Sequence, residues 1–219
     1  MHEANSFVTL TYDDENVPSE LVTKDWQDFA KRLRHSGRFR FFACGEYGDA
    51  GGRPHFHALI FGRDFSADRY PWRKSKGFPI YRSPRLEEAW GMGFAEIGHV
   101  SFQSARYVAR YVTKKQKAES YEGRKPPFLL MSRRPGIGST WFEKYGASDV
   151  LPYDECVVEG RRYRPPKFYD DRTDDQVLEV AKRKRIAAER KRESDRTPAR
   201  LGVMEKVAAR RLARLSREV

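Results

Sequence analysis

Cysteine is scarce in this chain: Cys44 and Cys156 are the two in 219 residues, and neither belongs to a CxxC pair. That scarcity excludes a disulfide framework and a cysteine-held zinc site, and it fits a reducing compartment. Long apolar runs are missing as well. No stretch approaches the ~18 residues needed to cross a bilayer. The opening MHEANSF has no secretory-leader character, so a soluble intracellular protein is expected. Internal repeats are also absent. Histidine is sparse, five in all, yet two of the five stand one residue apart at positions 55 and 57.

Positive charge is abundant. The 43 Lys/Arg against 31 Asp/Glu leave a net +12 and a pI near 9.8, which points to a polyanionic partner. The surplus is uneven: residues 181–219 carry 14 Lys/Arg against 5 Asp/Glu, which leaves +3 for residues 1–180. Basicity alone therefore does not mark the front part as a nucleic-acid binder; motifs must. A 39% hydrophobic and 13% aromatic content suits one proper core with a tail or small module attached.

The alternating SFVTLTY (6–12) reads as a first strand. Thr23 is placed to cap a helix running to about His35, with Trp26, Phe29, Ala30 and Leu33 on its core face and Gly37 ending it. Strands follow at roughly 39–46 and 55–61. Residues 62–83 show no clean period and read as a long insertion mixing basic and aromatic residues. A short helix at 86–90 and a strand at 94–101 come next, with His99 and His35 structural or exposed. SARYVARYVTKK (104–115) has helical spacing, and 116–128 is a polar linker. A short strand, a loop and a short helix around 141–144 follow, then a hairpin over 156–169 turning at Glu159–Gly160. Beyond Asp174 the Lys, Arg, Glu and Ala content indicates helices broken near Pro198, with Leu201, Met204, Ala208, Leu212 and Leu215 as an apolar stripe. The domain break is expected at 172/173.

The chemistry concentrates in GEYGDAGGRPHFHALIFG (45–62). On a strand, His55 and His57 share a face and Phe56 takes the other. If the preceding run FRFFACGE pairs with it across the Gly-rich turn, Glu46 lands beside the imidazoles; Asp49 is a second carboxylate within reach of that space. Two imidazoles and a carboxylate can hold a divalent metal with positions left open for a substrate. In the helical stretch Tyr107 and Tyr111 lie one turn apart on one face, followed by Lys114 and Lys115. A phenol attacks a phosphodiester only when the phosphate is polarised and cations stabilise developing charge. Taken singly, each feature has an ordinary explanation: a strand-end carboxylate, core-edge tyrosines, a solvated helix end.

Together they resemble a known family. HFH before apolar residues is similar to the HUH motif of HUH endonucleases, YVARYVTKK to their two-tyrosine motif, and FVTLTY to their first motif. FVTLTYDDENVP, RPHFHALIFG, YVARYVTKK and SRRPGIG look most like the replication initiators of gokushoviruses, over residues 6–170. The resemblance implies an α+β fold with an antiparallel sheet flanked by helices. It implies Glu46, His55 and His57 as ligands of Mn²⁺ or Mg²⁺, Tyr107 and Tyr111 as nucleophiles, and Lys114 as the lysine of a YxxK pattern. It also implies cleavage of single-stranded DNA at an origin hairpin to a 5′-phosphotyrosine, rolling-circle replication in the cytoplasm of a bacterial host, and a host helicase or polymerase as partner. Relatives are expected to carry more chain before the first strand.

Within the insertion, Trp72, Arg73 and Lys74 suit base stacking and phosphate contacts, as does Lys115 beyond it. The basic tail fits a solvated helix and a DNA contact equally well. Three rival functions share parts of the pattern. A non-haem iron oxygenase needs two histidines and a carboxylate but no tyrosine pair; an HUH transposase or relaxase differs in substrate; a non-catalytic single-strand binder does not need the tyrosines.

Overall fold

The computed structural model describes residues 1–48, 52–75, 77–113, 123–191 and 193–213, the side chains of 110–113, 194, 212 and 213 excepted. Two compact units result, residues 1–137 and 138–218.

The first unit runs β1 (Asn5–Tyr12), α1 (Thr23–Arg34), β2 (Arg40–Tyr47), β3 (Pro54–Phe61), β4 (Tyr70–Ser75), β5 (Phe78–Arg82), α2 (Pro84–Trp90), β6 (Gly93–Gly98), α3 (Phe102–Thr113) and β7 (Phe128–Met131). Its seven strands form one antiparallel sheet in the order β4-β5-β6-β1-β3-β2-β7. Alternation divides the sheet into two faces. Val8, Leu10, Tyr12, Phe56, Ala58, Ile60, Ala95 and Ile97 point one way, onto Trp26, Phe29 and Leu33 of α1 and Leu86 and Trp90 of α2. Phe7, Cys44 and Leu59 point the other way, onto Tyr107 and Val108 of α3. This is the expected α+β architecture of an antiparallel sheet flanked by helices.

Several local expectations are corrected. Thr23 is the first residue of α1 rather than its cap; Val22 holds that position without a side-chain hydrogen bond. The 62–83 insertion is largely a β-hairpin, β4–β5, that extends the sheet to its edge. Pro71 and Pro79 hide it, because proline breaks the alternation yet is tolerated on an edge pair. The strand expected over 94–101 stops at Gly98, and α3 starts two residues before the expected 104. Ser101 and Ser104 explain that start: each hydroxyl accepts from the other residue's amide, at 3.1 and 2.8 Å, a reciprocal capping pair. At the start of β6, Gly93 has φ +137° and a Cβ there would lie 2.5 Å from the Thr11 carbonyl oxygen, so only glycine fits against β1.

The second unit contains α4 (Ser139–Tyr145), which continues through one wider turn over Gly146–Val150. After it come β8 (Cys156–Val158), β9 (Arg161–Tyr163), α5 (Lys167–Asp170), α6 (Asp175–Arg190) and α7 (Pro198–Ala213). Phe142 and Tyr169 stack with centroids 4.4 Å apart. The β8–β9 hairpin turns at Glu159–Gly160, both with positive φ as such two-residue turns require. Arg185 of α6 reaches both Asp154 and Asp170. The division at 137/138 therefore precedes the expected 172/173, because this guanidinium binds the tail helix to the segment before it.

Candidate metal and tyrosine site

The β2–β3 register sets Glu46 opposite His55 and Cys44 opposite His57, while the β1–β3 register sets Thr9 opposite His57 and Thr11 opposite His55. Directly opposite residues have Cβ atoms about 5 Å apart, so the sheet alone converges these groups. Glu46 Oε1 lies 3.2 Å from His55 Nε2 and 2.9 Å from His57 Nε2. The three donor atoms lie within 4.8 Å of one another. Donors bound about 2.1 Å from a cation in adjacent positions stand about 3 Å apart, so the two Glu46 separations fit a shared divalent ion.

Hydrogen-bond bookkeeping at His55 supports the same fit. Its Nδ1 faces the Arg53 carbonyl oxygen at 3.1 Å while its Nε2 faces Glu46. A neutral imidazole has one N–H, so with Nδ1–H donating to Arg53, the Nε2 lone pair meets a carboxylate oxygen unless a cation lies between. The Arg53 guanidinium holds that loop in turn, donating to the Tyr12 carbonyl at 2.8 Å and pairing with Asp14. At His57, Nδ1 is 2.9 Å from Thr9 Oγ1, and the ring lies parallel to Phe7 with centroids 5.6 Å apart. Both rings are thus oriented through the nitrogen that does not face the carboxylate, as metal-binding histidines usually are.

Burial works against the charge on Glu46, but hydrogen bonds from His55 and His57 outweigh it and hold the carboxyl at about 2. Burial also lowers His57, against the raising effect of its Glu46 contact. The outcome is an ionised Glu46 beside a neutral His57, the protonation state that a metal requires.

Tyr107 enters from α3, which packs over β3, β2 and β7. Its hydroxyl donates to Glu46 Oε1 at 2.9 Å and stands 3.4 Å from His57 Nε2. Its ring is edge-on to His57 and to Phe7. The structure therefore brings Glu46, His55, His57 and Tyr107 together. Tyr111 lies one turn further along the α3 backbone, but its side chain, like Lys114, Lys115 and Asp49, lies outside the described residues. Arg73 is engaged by Glu96, with Nε–Oε1 and Nη2–Oε2 both 2.7 Å, whereas Lys74 and Trp72 are exposed. His99 and His35 lie away from the triad and exposed.

Sequence reasoning missed Thr9, Phe7 and Arg53. The signal for Thr9 was available: a polar residue in the first strand, on the opposite face from buried Val8 and Leu10. Which face meets the histidines depends on register, and the sequence does not specify that.

No solved structure matches this chain. Curated relatives do. Replication-associated protein VP4 of Bdellovibrio phage phiMH2K is 32% identical over 183 residues, covering 78% of this chain and 58% of the relative. Replication-associated protein ORF2 of Spiroplasma virus 4 is 31% identical over 205 residues, covering 83% and 63%. Replication-associated protein ORF4 of Chlamydia phage 1 is 30% identical over 190 residues, covering 78% and 46%. The chain thus spans roughly half to under two thirds of the length of these relatives. The family model for replication-associated protein ORF2 matches residues 5–116, a span that runs from β1 through α3 and includes Glu46, His55, His57, Tyr107 and Tyr111. On this match, and on the identity shared with the phage proteins, the chain belongs to the replication-associated protein ORF2 family.

Proposed function

We propose that this chain is a metal-dependent nickase and ligase of single-stranded DNA that initiates rolling-circle replication of a small phage genome. The observation that carries this reading is the approach of the Tyr107 hydroxyl to the Glu46–His55–His57 cluster, 2.9 Å from the carboxylate. Glu46, His55 and His57 hold Mn²⁺ or Mg²⁺; when bound, the ion polarises a phosphate oxygen and offsets charge developing on the phosphoryl group.

The remaining work falls to the chain itself. A tyrosine oxygen attacks the phosphorus, the P–O3′ bond breaks, and the electron pair leaves on the 3′ oxygen. The phenolic proton is lost and one proton returns to that oxygen, which gives a 5′-phosphotyrosine and a free 3′-OH to prime synthesis. Lys114 supplies positive charge to the transition state. With two tyrosines at one cluster, the second repeats the attack at the next junction while the first holds the 5′ end, and reversal joins the circle. The DNA partner is the origin strand, presented as a hairpin in the cytoplasm of the bacterial host, where a helicase or polymerase follows. Among the described residues no helix is long and apolar enough to cross a membrane.

A second assignment of the tyrosines has its own support. Tyr107 is 9% exposed and packed with Phe7, Cys44 and Leu59. Such burial suits a donor that orients Glu46, leaving Tyr111, which begins the YxxK spacing to Lys114, to make the first attack.

Denaturing gels of end-labelled single-stranded origin DNA with Mn²⁺ test both. Wild type is expected to give a protein–DNA adduct that survives denaturation and is absent from the Tyr107→Phe/Tyr111→Phe double variant. The single variants assign first and second attack. Cleavage without an adduct in any form overturns the tyrosine mechanism in favour of water.

A further inference from the structure

The register that aligns Glu46 with His55 continues across the sheet: His55 is opposite Thr11, and Thr11 is opposite Phe94. Phe94 alternates with buried Ala95, so it faces the same side as the histidines. Two strand spacings of about 4.8 Å separate β6 from β3, which sets Phe94 roughly 10 Å along the row from His55. Helix α3 packs over β3, β2 and β7, and Phe94 is 53% exposed.

One strand further out, Arg82 lies against both Phe94 and Trp72, its guanidinium carbon 5.6 and 4.7 Å from the ring centroids. Glu87 takes the charge of Arg82, accepting from Nε at 2.6 Å. The guanidinium is therefore a fixed, neutralised spacer with an aromatic ring on each side. Trp72 is 52% exposed and sits at the irregularity between Pro71 and Arg73 in β4. An extra residue there re-aims the chain, so Trp72 and Arg73 turn to one face instead of alternating. Arg73 uses that orientation to cover Glu96, whose carboxylate lies in the row of Thr9 and His57 and would otherwise repel a phosphate.

We infer that Trp72 and Phe94, braced by Arg82, form a base-stacking platform for an unpaired nucleotide of the DNA strand that crosses the histidine-bearing face. This inference rests on the single-strand reading proposed above. Single-stranded DNA is the occupant because the rings continue the row of the candidate site, and because the chain carries +12 overall. Stacking accepts any base, so the platform fixes where the strand lies without reading its sequence. Its cation is already paired, so it contributes through π-surface rather than counterion release.

The test is anisotropy titration of the full chain with a fluorescein-labelled single-stranded oligonucleotide at several salt concentrations. Phe94→Ala and Trp72→Ala are each expected to weaken binding about 5- to 150-fold, the range for deleting one stacking ring. The slope of log K against log salt stays unchanged, and Phe94→Tyr restores affinity. An abasic site moved along the oligonucleotide should weaken wild type at one position, where Phe94→Ala then costs nothing more. Both rings are exposed, so circular dichroism should show folded variants. Phe94→Ala that binds within twofold of wild type while wild type still cuts DNA overturns the platform alone. A changed oligomeric state with unchanged DNA affinity assigns the rings to a second copy of the chain and also overturns it. A wild-type chain that binds no single strand overturns the platform together with the reading beneath it.

Discussion

Thr9→Val isolates how His57 is prepared for a metal. For Nε2 to offer a lone pair, the ring proton must sit on Nδ1, where it donates to Thr9 Oγ1 at 2.9 Å. Valine keeps the shape of threonine and removes the acceptor. The ring is 9% exposed and lies flat against Phe7, so water does not readily replace the hydroxyl. Two outcomes remain for the proton. Kept on Nδ1, it is buried and unpaired, at a cost of about 1–3 kcal/mol. Moved to Nε2, it donates to Glu46 Oε1, 2.9 Å away, and the lone pair is no longer available. Either way the metal-ready tautomer is disfavoured by about that amount, which lowers metal affinity about 5- to 150-fold. Calorimetric titration of Mn²⁺ into wild type, Thr9→Val and Thr9→Ser measures it, with serine expected to stay near wild type. A folded Thr9→Val chain that binds Mn²⁺ within twofold of wild type would refute this account of His57.

Acid should weaken the metal-free fold in two stages. Burial holds His57 below its ordinary 6.5, so the stability gained from a neutral ring is fully present above that pH and is lost as pH falls through 6.5 toward the lowered folded value. Glu46, which burial alone would raise but which the histidine hydrogen bonds hold at about 2, adds a second loss between 4.5 and 2. Urea midpoints measured against pH should fall across both windows, and His57→Gln should flatten the upper one. In the second unit, Arg185→Met leaves Asp154 and Asp170 facing each other without the cation that bridges them at 2.7–2.9 Å. Removing one partner of a buried pair costs about 3–5 kcal/mol; with these carboxylates partly reached by water, about 2–3 kcal/mol is expected. Urea unfolding of Arg185→Met alone and combined with Asp154→Asn and Asp170→Asn checks it: recovery in the triple variant is expected, and no loss in the single one counts against the bridge.

The parts legible in the sequence are those governed by local rules. Period 2 in SFVTLTY and PHFHALIF, and 3–4 spacing at Trp26, Phe29, Ala30 and Leu33, fixed elements whose burial follows the pattern. Glu46 was legible because a Gly-rich turn joins two apolar runs and hairpin register then follows. The β4–β5 pair was not, since its prolines and its bulge erase the period that defines a strand. Nor was Thr9, whose role depends on β1 lying between β3 and β6, a pairing between segments far apart in sequence. Arg185 likewise looked like one more cation in a basic helix until two aspartates arrived from upstream.

The separation of the site's parts along the chain has a consequence for synthesis. Glu46 and His55 are nine residues apart in one hairpin, while Tyr107 is 61 residues beyond Glu46 on a helix that follows three further strands. Hairpins close quickly and contacts of long sequence separation close late. A nascent or prematurely ended chain can therefore assemble the ion-holding hairpin without the hydroxyl that would commit it to DNA. The order of the elements acts as a safety interlock: strand scission waits until the last-made piece of the centre has docked.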